Sequence, residues 1–350
     1  MSADAAAGTR LFAFYATTIP GLEPVVADEL VERLPGIEAI RVQRGRRQGR
    51  VSFSYQRSPR HLLEVRSARG LYALLAEIDG ITVGRPGLER IAAALAGLSL
   101  TAAGRLLVAL QPDAEPSSFQ LNATVQGPHR FTAADLTRAV EEAFGRAGLR
   151  RRPVATAMHL QLQVEGRRAH LGLHLPSSLT RDGEPLAYCL GRLSGIGPED
   201  AVLVVRGGRR WLRELATAFG PRLLLGFDDP PVRQPAGSVV PAEPPRLLAL
   251  GEHLPLQDGS VSCILGLAGD PRLAEVREYL RCLAEGGMAA LVVGDAQRLV
   301  TMLRQHQVPV SVLAALPVSL NGRDRTVFVL GQVESGHPDL LPESGLLQIE

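Results

Sequence analysis

The sequence predicts a multidomain protein in which two α+β units precede an α/β domain. Residues 11–80 alternate strand and helix patterns in the order β-α-β-β-α, which predicts a small ferredoxin-like unit. Residues 81–180 add a strand, an amphipathic helix and a strand hairpin. From residue 199 short apolar runs alternate with helical stretches, a pattern typical of buried parallel strands in a doubly wound sheet.

The first unit begins with the apolar run "LFAFYATT", which predicts a strand. "GLEPVVADELVERL" follows with apolar residues at helical spacing. "IEAIRVQRGRRQGRVSFSY" predicts two strands around a basic turn, and "SPRHLLEVRSARGLYALL" predicts a second helix that Ser58 and Pro59 begin.

The second unit contains the strand pattern "SSFQLNATVQG" and the helical pattern "FTAADLTRAVEEAFGRAGL". Thr132 is the predicted N-cap of that helix, and Asp135 three residues later completes a capping pattern. "MHLQLQVEGRRAHLGLHL" alternates strictly around an "EGR" turn, which predicts a hairpin with one apolar and one polar face. The apolar face carries Leu160, Leu162 and Val164, and the polar face carries His159, Gln161 and Gln163.

The composition is that of a globular protein, with 45% hydrophobic and 21% charged residues. No apolar run reaches the length of a transmembrane helix, and the first residues do not resemble a secretory signal. Cys189, Cys263 and Cys282 form no C-x-x-C pair, which argues against a zinc site and a disulfide framework. We therefore expect a cytoplasmic protein without a bound metal.

The basic residues are concentrated in the front half of the chain, and all 38 are arginine. Residues 1–198 carry 24 arginines against 18 acidic residues, whereas residues 199–350 carry 14 against 18. A biased genome composition explains the absence of lysine equally well, but arginine is well suited to phosphate binding. The front half is therefore the part expected to bind a polyanion.

Taken in order, these segments resemble the THUMP-domain RNA methyltransferases over about residues 11–332. "FYATTIPGLEPVVADEL" is similar to the start of that family's N-terminal ferredoxin-like domain, and "FQLNATVQGPHRFTAADL" to its THUMP signature. "LGRLSGIGPEDAVLVV", "LPLQDGSVSCILGL" and "YLRCLAEGGMAALVV" resemble parts of a Rossmann-like class I methyltransferase core. The resemblance implies a ferredoxin-like domain over 10–80, a THUMP domain over 81–180, a methyltransferase-like domain over 181–333 and a tail over 334–350.

The resemblance also implies a site for S-adenosylmethionine at the carboxyl ends of the first strands. An acidic residue and a G-x-G loop belong after the first strand, where this chain has Val204, Gly208 and Arg210. Asp228 stands 20 positions after Gly208, where a carboxylate would bind the ribose hydroxyls. Glu252 follows the third strand and is a candidate for the adenine amino group, although a surface glutamate explains it equally well. Gly208, Asp228 and Glu252 are the predicted cofactor residues, with binding that is weak or lost.

The stretch "GFDDPPVRQ" is similar to the catalytic Asp-Pro-Pro-Tyr motif of nucleic-acid methyltransferases, but it stands at the end of the second strand. Val232 also replaces the aromatic residue that would stack on the target base. At the end of the fourth strand, where the motif belongs, the chain has Gly266, Leu267 and Ala268. We therefore predict no catalytic residues.

Three basic clusters are candidates for RNA binding, because arginine contacts to phosphate provide most sequence-independent affinity. They are Arg44, Arg46, Arg47 and Arg50; His129 and Arg130; and Arg150, Arg151 and Arg152. Each could also be a solvated surface. The resemblance implies tRNA as the RNA.

The sequence thus predicts an RNA-binding THUMP protein whose methyltransferase-like domain is a pseudoenzyme. One alternative is an active S-adenosylmethionine-dependent RNA methyltransferase that modifies guanine N2 in tRNA or rRNA. A second is a protein-interaction scaffold that has lost both ligands.

Overall fold

A computed structural model describes residues 12–176, 184–227, 246–247 and 253–332. These residues form a mixed α/β protein with two mixed sheets, which confirms the predicted mixed α/β architecture. The chain divides into two compact units. The first comprises Met1–Thr18, Val26–Gln43 and Arg50–Thr180, and the second comprises Ile19–Val25, Arg44–Gly49 and Arg181–Glu350.

The first unit is built on one eight-stranded sheet whose strands lie in the order β2-β3-β1-β4-β8-β7-β5-β6. β5 pairs in parallel with β6 and β7, and the remaining pairs for which the register is given are antiparallel. The strands are β1 (Phe12–Thr18), β2 (Glu38–Gln43), β3 (Gly49–Tyr55), β4 (Gly70–Asp79), β5 (Glu115–Gln126), β6 (Arg150–Arg151), β7 (Ala157–Glu165) and β8 (Arg168–His174).

Four helices contribute to the core of this unit, and their apolar residues pack with one face of the sheet. They are α1 (Glu23–Arg33), α2 (Arg85–Ala96), α3 (Thr101–Leu110) and α4 (Ala133–Arg146), and a short 3-10 helix spans Pro59–Glu64. Thr132 caps α4 as predicted: its hydroxyl accepts from the Asp135 backbone N–H at 3.2 Å, and the Asp135 carboxylate accepts from the Thr132 N–H at 2.8 Å. The predicted alternation of β7 is also confirmed, because Leu160, Leu162 and Val164 are buried in the core.

The helix predicted over "SPRHLLEVRSARGLYALL" is wrong. Only the 3-10 helix forms at its start, and the second half of the segment is the beginning of β4. β4 pairs with β1 on one side and with β8 on the other, so both edges of its backbone are satisfied by neighbouring strands. This tertiary pairing outweighs the local helical spacing of the apolar residues.

The second unit contains a seven-stranded sheet in the order β11-β10-β9-β12-β13-β15-β14. The first five strands in this order are parallel, and β15 is antiparallel to both of its neighbours. The strands are β9 (Ala201–Val205), β10 (Leu223–Phe227), β11 (Arg246–Leu247), β12 (Val261–Gly269), β13 (Leu283–Val293), β14 (Val310–Leu320) and β15 (Arg323–Gln332). The helices are α5 (Pro185–Leu193), α6 (Gly208–Phe219), α7 (Leu273–Cys282) and α8 (Ala296–Gln305).

Apolar residues from both faces of this second sheet are buried, as expected for a sheet with helices on each side. Cys189, Cys263 and Cys282 are among the buried residues, and none of them forms a disulfide within the described part of the chain. No single described helix is long and apolar enough to cross a membrane. Taken together, α2 and α3 have the length and composition of a membrane span, but they are bent by 69° at the break between them.

Candidate functional site

The carboxyl end of β9 is the place where a parallel sheet of this order would bind a ligand. All five residues of β9 are buried, and the chain leaves the sheet at Arg206. Arg206 adopts a left-handed backbone conformation with a φ of 54°, and its N–H donates to the Phe227 carbonyl at 2.6 Å. Such a conformation costs a non-glycine residue about 1–2 kcal/mol, so the surrounding contacts must hold it in place.

The Arg206 side chain extends from the end of β9 to the end of β12. Its Nη1 donates to the Ala268 carbonyl at 3.1 Å, and its Nη2 forms an ion pair with Glu275 Oε1 at 2.9 Å. Glu275 lies in the first turn of α7 and also accepts from the Arg272 N–H at 3.0 Å. The guanidinium therefore bridges two strand ends at the edge of the sheet where the cofactor was predicted.

Of the two glycines in the loop after β9, the first is required by side-chain packing and the second by its backbone conformation. A Cβ on Gly207 would lie 2.6 Å from Val204 Cγ1 and 2.7 Å from the Trp211 ring, so this residue must be small. Gly208 has a φ of 68°, and a Cβ there would meet no heavy atom within 4 Å. Gly208 is thus required by its backbone conformation. The Arg210 side chain is 68% exposed and lies 3.7 Å from the Glu184 carboxylate.

At the end of β12, Gly266 allows the backbone of β9 to come close, because a Cβ on it would be 2.5 Å from the Val205 carbonyl oxygen. Ala268 is buried, and its carbonyl is taken by Arg206. Asp270 is exposed and accepts from the Asp295 N–H at 3.0 Å, which ties the end of β12 to the start of α8. The described residues from 266 to 270 include no amide or aromatic side chain that could hold a target base.

The residues described at this edge do not supply the acidic anchor that the resemblance implies for S-adenosylmethionine. Val204, at the predicted position of the acidic anchor, is 1% exposed and packs in an apolar cluster, so this position offers no carboxylate to the cofactor's ammonium group. The Arg206 guanidinium adds a positive charge next to that position. Gly208 is one of three predicted cofactor residues. The other two, Asp228 and Glu252, lie outside the described residues.

The predicted RNA-binding arginines differ in their exposure and in the partners that they contact. Arg44, Arg46 and Arg47 are exposed, whereas Arg50 lies in β3 with its guanidinium carbon 4.6 Å from the Tyr15 ring centroid. Arg50 Nη2 also donates to Gln163 Oε1 at 2.7 Å. Arg50 therefore has internal partners that compete with phosphate.

The other two clusters also divide into engaged and exposed residues. His129 Nε2 contacts the Gly166 carbonyl at 2.7 Å and its ring lies 4.8 Å from the Phe131 ring, whereas the Arg130 side chain is exposed. Arg151 forms an ion pair with Glu141 on α4.

In β6, Arg151 pairs in register with Phe119, whose side chain is buried on the helix-covered face of the sheet. Successive strand residues point to opposite faces, which places Arg150 on the other face. Arg152 follows the strand, is 55% exposed and lies 3.8 Å from the Glu115 carboxylate.

That other face of the first sheet is polar and contains a cavity of about 270 Å³. Polar or aromatic side chains from four adjacent strands line it, together with Leu121 and Leu160. They are Tyr72, His174, His159, Gln161, Gln120 and Asn122. The alternation in the sequence reveals the polar face of β7 but not the cavity, because the other walls of the cavity come from strands that are distant in sequence.

Two histidines on this polar face have depressed pKa values. Burial lowers the pKa of His174, and the neighbouring His159 lowers it further. Burial also lowers the pKa of His170, and the positive charge of Arg50 acts in the same direction. Both imidazoles are therefore stabilised in the neutral form.

We expect the folded state to lose stability as the pH falls below about 6.5, the ordinary histidine pKa. Below that value the unfolded chain takes up protons that the buried His174 binds less readily. The stability that the neutral His174 contributes is fully present above about pH 6.5 and is lost as the pH falls towards the depressed pKa of this residue. Urea unfolding at pH 7.5 and 5.5 should show a smaller pH-dependent loss in His174→Gln than in the wild type. An identical loss in both proteins would contradict the assignment.

No family model matches the chain, and no curated protein matches it. Solved structures do match. TrmN from Thermus thermophilus is 24% identical, with a TM-score of 0.66 over 92% of this chain and 100% of that chain. SMU.472, a suspected methyltransferase complexed with SAH, is 12% identical, with a TM-score of 0.61 over 91% of this chain and 97% of that chain.

A third match is a predicted N6-adenine-specific DNA methylase from Listeria monocytogenes, which is 12% identical. Its TM-score is 0.57, over 92% of this chain and 96% of that chain. At these identities the likeness is one of fold. The protein therefore has, along almost all of its length, the fold of these methyltransferase structures.

Proposed function

We propose that this protein binds RNA, with tRNA as the first candidate, and that its methyltransferase-like unit transfers no methyl group. In this proposal residues 10–80 and 81–180 are the ferredoxin-like and THUMP units that the resemblance implies. The excess of arginine over acidic residues in the front half supports an RNA partner. The fold shared with TrmN and with the SAH-complexed SMU.472 supports descent from a methyltransferase.

The observation that carries the RNA-binding part is the exposed arginine surface at the β6 edge of the first sheet. Arg150 is exposed on the polar face, and Arg152 next to it is 55% exposed. Exposed guanidinium groups can form bidentate contacts with phosphate, and their affinity depends steeply on salt. Arg151 is less suited to this role because it is hydrogen-bonded to Glu141, whereas the contact of Arg152 with Glu115 is a longer ion pair of 3.8 Å.

The observation that carries the non-catalytic part is the position of Arg206. Its guanidinium occupies the ends of β9 and β12, where a transferase needs the cofactor and the target base next to each other. The nearby residues Gly266, Leu267 and Ala268 offer no side-chain acceptor for an exocyclic amine. The alternative of an active methyltransferase would require Asp228, Asp229 or Glu252 to supply the missing groups.

The RNA-binding proposal predicts that Arg150→Ala and Arg152→Ala each weaken tRNA binding by the full-length protein. The plot of log K against log salt has a negative slope, and each lost phosphate contact should make this slope less steep by about 0.9. Filter binding or fluorescence anisotropy from 50 to 300 mM salt measures this slope. Arg151→Ala is the matched control, and we expect a smaller change because Glu141 already neutralises this side chain. Equal slopes in all three variants and the wild type would remove the β6 edge from the RNA-binding surface.

A further inference from the structure

The cavity on the polar face of the first sheet has the properties of a site for a small uncharged ring. It lies over the adjacent strands β4, β8, β7 and β5, and all of its lining residues belong to the first unit. Its volume of about 270 Å³ is just below the ~300–1,000 Å³ of pockets for drug-sized ligands. One ring system with a few polar substituents therefore suits it better than an extended ligand.

The hydrogen-bonding groups of the cavity are amides and imidazoles. Gln120, Asn122 and Gln161 each carry a carbonyl oxygen and an NH₂ group, so each can accept and donate. The Gln120 NH₂ already donates to the Val154 carbonyl at 2.7 Å, which leaves its oxygen for a ligand. His159 Nε2 is shielded from solvent and has no hydrogen-bond partner among the described residues. Such a buried polar atom costs free energy unless a ligand or water satisfies it.

An aromatic platform borders these polar groups. The Tyr72 ring stacks on Tyr15 with centroids 4.8 Å apart and an angle of 8° between the planes. His174 contacts Tyr72 edge-on at 5.0 Å. Gly172 leaves room for this arrangement, because a Cβ there would lie 2.2 Å from the Tyr15 hydroxyl. Flat rings and paired donors and acceptors are the groups that bind the faces and edges of nucleobases.

A phosphate-binding group lies on the same face next to the cavity. β6 pairs with β5, the strand that contributes Gln120 and Asn122, and Arg150 of β6 is exposed on the polar face. The lining residues include no acidic side chain that would repel a phosphate. Sheet surfaces that combine stacking rings, amide groups and flanking arginines bind single-stranded RNA.

We propose that this cavity binds one unstacked nucleobase of a single-stranded RNA segment whose phosphate contacts Arg150. The proposal rests on the RNA binding proposed above and names the part of the RNA that is recognised. Asn122 and Gln161 bind the edge of the base, and His174, which the buried Tyr72 ring supports, contacts its face. The arginines set the overall affinity, and the cavity sets the preference for a single-stranded base.

The test uses the full-length protein with a fluorescein-labelled single-stranded RNA octamer and with octamers that carry one abasic nucleotide at successive positions. The wild type should lose about tenfold in affinity when the base that enters the cavity is missing. Asn122→Ala and Gln161→Ala should bind the intact octamer about tenfold more weakly, and they should no longer distinguish it from the abasic one. Their salt slope should equal that of the wild type, because no phosphate contact is removed.

Thr124→Ala is the matched control. Thr124 lies on the same strand and face as Asn122 but outside the cavity, and its hydroxyl has no partner among the described residues. It should bind and discriminate like the wild type, and thermal unfolding should show that all three variants are folded. If Asn122→Ala and Gln161→Ala melt at a lower temperature, the abasic comparison within the wild type still tests the proposal.

The outcomes separate this proposal from the proposed function. Salt-dependent RNA binding with equal affinity for intact and abasic octamers overturns the nucleobase site and leaves RNA binding in place. If no RNA is bound, saturation-transfer NMR with free nucleosides decides the case. Saturation transfer to a nucleoside that is present in the wild type and lost in Asn122→Ala would support the base-binding cavity while RNA binding is overturned. No transfer in the wild type would overturn both the cavity proposal and the RNA-binding proposal.

Discussion

Titration of the full-length protein with S-adenosylmethionine is expected to show no binding tighter than about 1 mM, which corresponds to only about −4 kcal/mol. Labelled methyl groups should likewise not be transferred to bulk tRNA or rRNA from cells that lack this gene. The reason is electrostatic and steric. Val204 provides no carboxylate, and the Arg206 guanidinium lies across the strand ends with Glu275 and the Ala268 carbonyl as partners.

Arg206→Gly tests how far the arginine alone accounts for this loss. Glycine adopts the left-handed conformation without the ~1–2 kcal/mol that arginine incurs. That gain offsets much of the ~1.5–3 kcal/mol from the lost charged hydrogen bond with Glu275. The variant should therefore remain folded, and we expect it not to bind the cofactor because Val204 is unchanged.

Calorimetry on both proteins, with thermal unfolding as the check on folding, separates the possible results. Micromolar binding by the wild type would contradict the proposed loss of the site and restore the active methyltransferase as the better explanation. Micromolar binding by Arg206→Gly alone would show that the rest of the site is intact. The absence of a carboxylate at Val204 would then be unimportant.

Many of the strands could be located along the chain from the sequence because they carry their own local signal. The buried runs at 201–205 and 261–269 are apolar throughout, and the alternation of β7 fixes which of its side chains enter the core. β4 could not be predicted in this way. Its residues have helical spacing, and they form a strand only because β1 and β8 offer backbone partners on both sides.

The candidate sites were predictable to different degrees. The absence of an acidic residue at position 204 is visible in the sequence, but the sequence does not show that Arg206 would bridge β9 and β12. Local spacing also made Arg50 and Arg150 equivalent candidates for phosphate. The structure distinguishes them, because Arg50 contacts Tyr15 and Gln163 from distant parts of the chain, whereas Arg150 is exposed.

A large loss of stability in the second unit is expected for Arg281→Ala. Arg281 is 31% exposed and binds Glu278, which is 6% exposed, through two hydrogen bonds of 2.6 and 2.9 Å. It also donates to the Leu254 and Leu256 carbonyls and forms an ion pair with Asp258. These contacts hold the segment before β12 against α7, so they help to position the strand whose end forms the candidate site.

Arg281 also controls the ionisation of Glu278. Hydrogen bonds from Arg281 lower the pKa of Glu278 from 4.5 to about 2, against the opposing effect of burial. Because the folded-state pKa is depressed, this stabilisation is present above about pH 4.5 and is lost as the pH falls towards 2. Arg281→Ala should remove this part of the acid sensitivity, because Glu278 then loses its main partner.

Removing Arg281 leaves a buried carboxylate without its charged partner, which costs about 3–5 kcal/mol in comparable sites. The partial exposure of Arg281 places the expected loss at the lower end, about 3 kcal/mol in the free energy of urea unfolding at pH 7. The double variant Glu278→Leu/Arg281→Met should lose much less, because it removes both charges and keeps apolar volume. The exposed Arg85–Glu89 pair is the matched control, and Arg85→Ala should change stability little. If Arg281→Ala is as stable as Arg85→Ala, the network does not anchor the segment before β12, and the position of the β12 end must depend on its other contacts, such as the pairings with β9 and β13 and the hydrogen bond from Arg206.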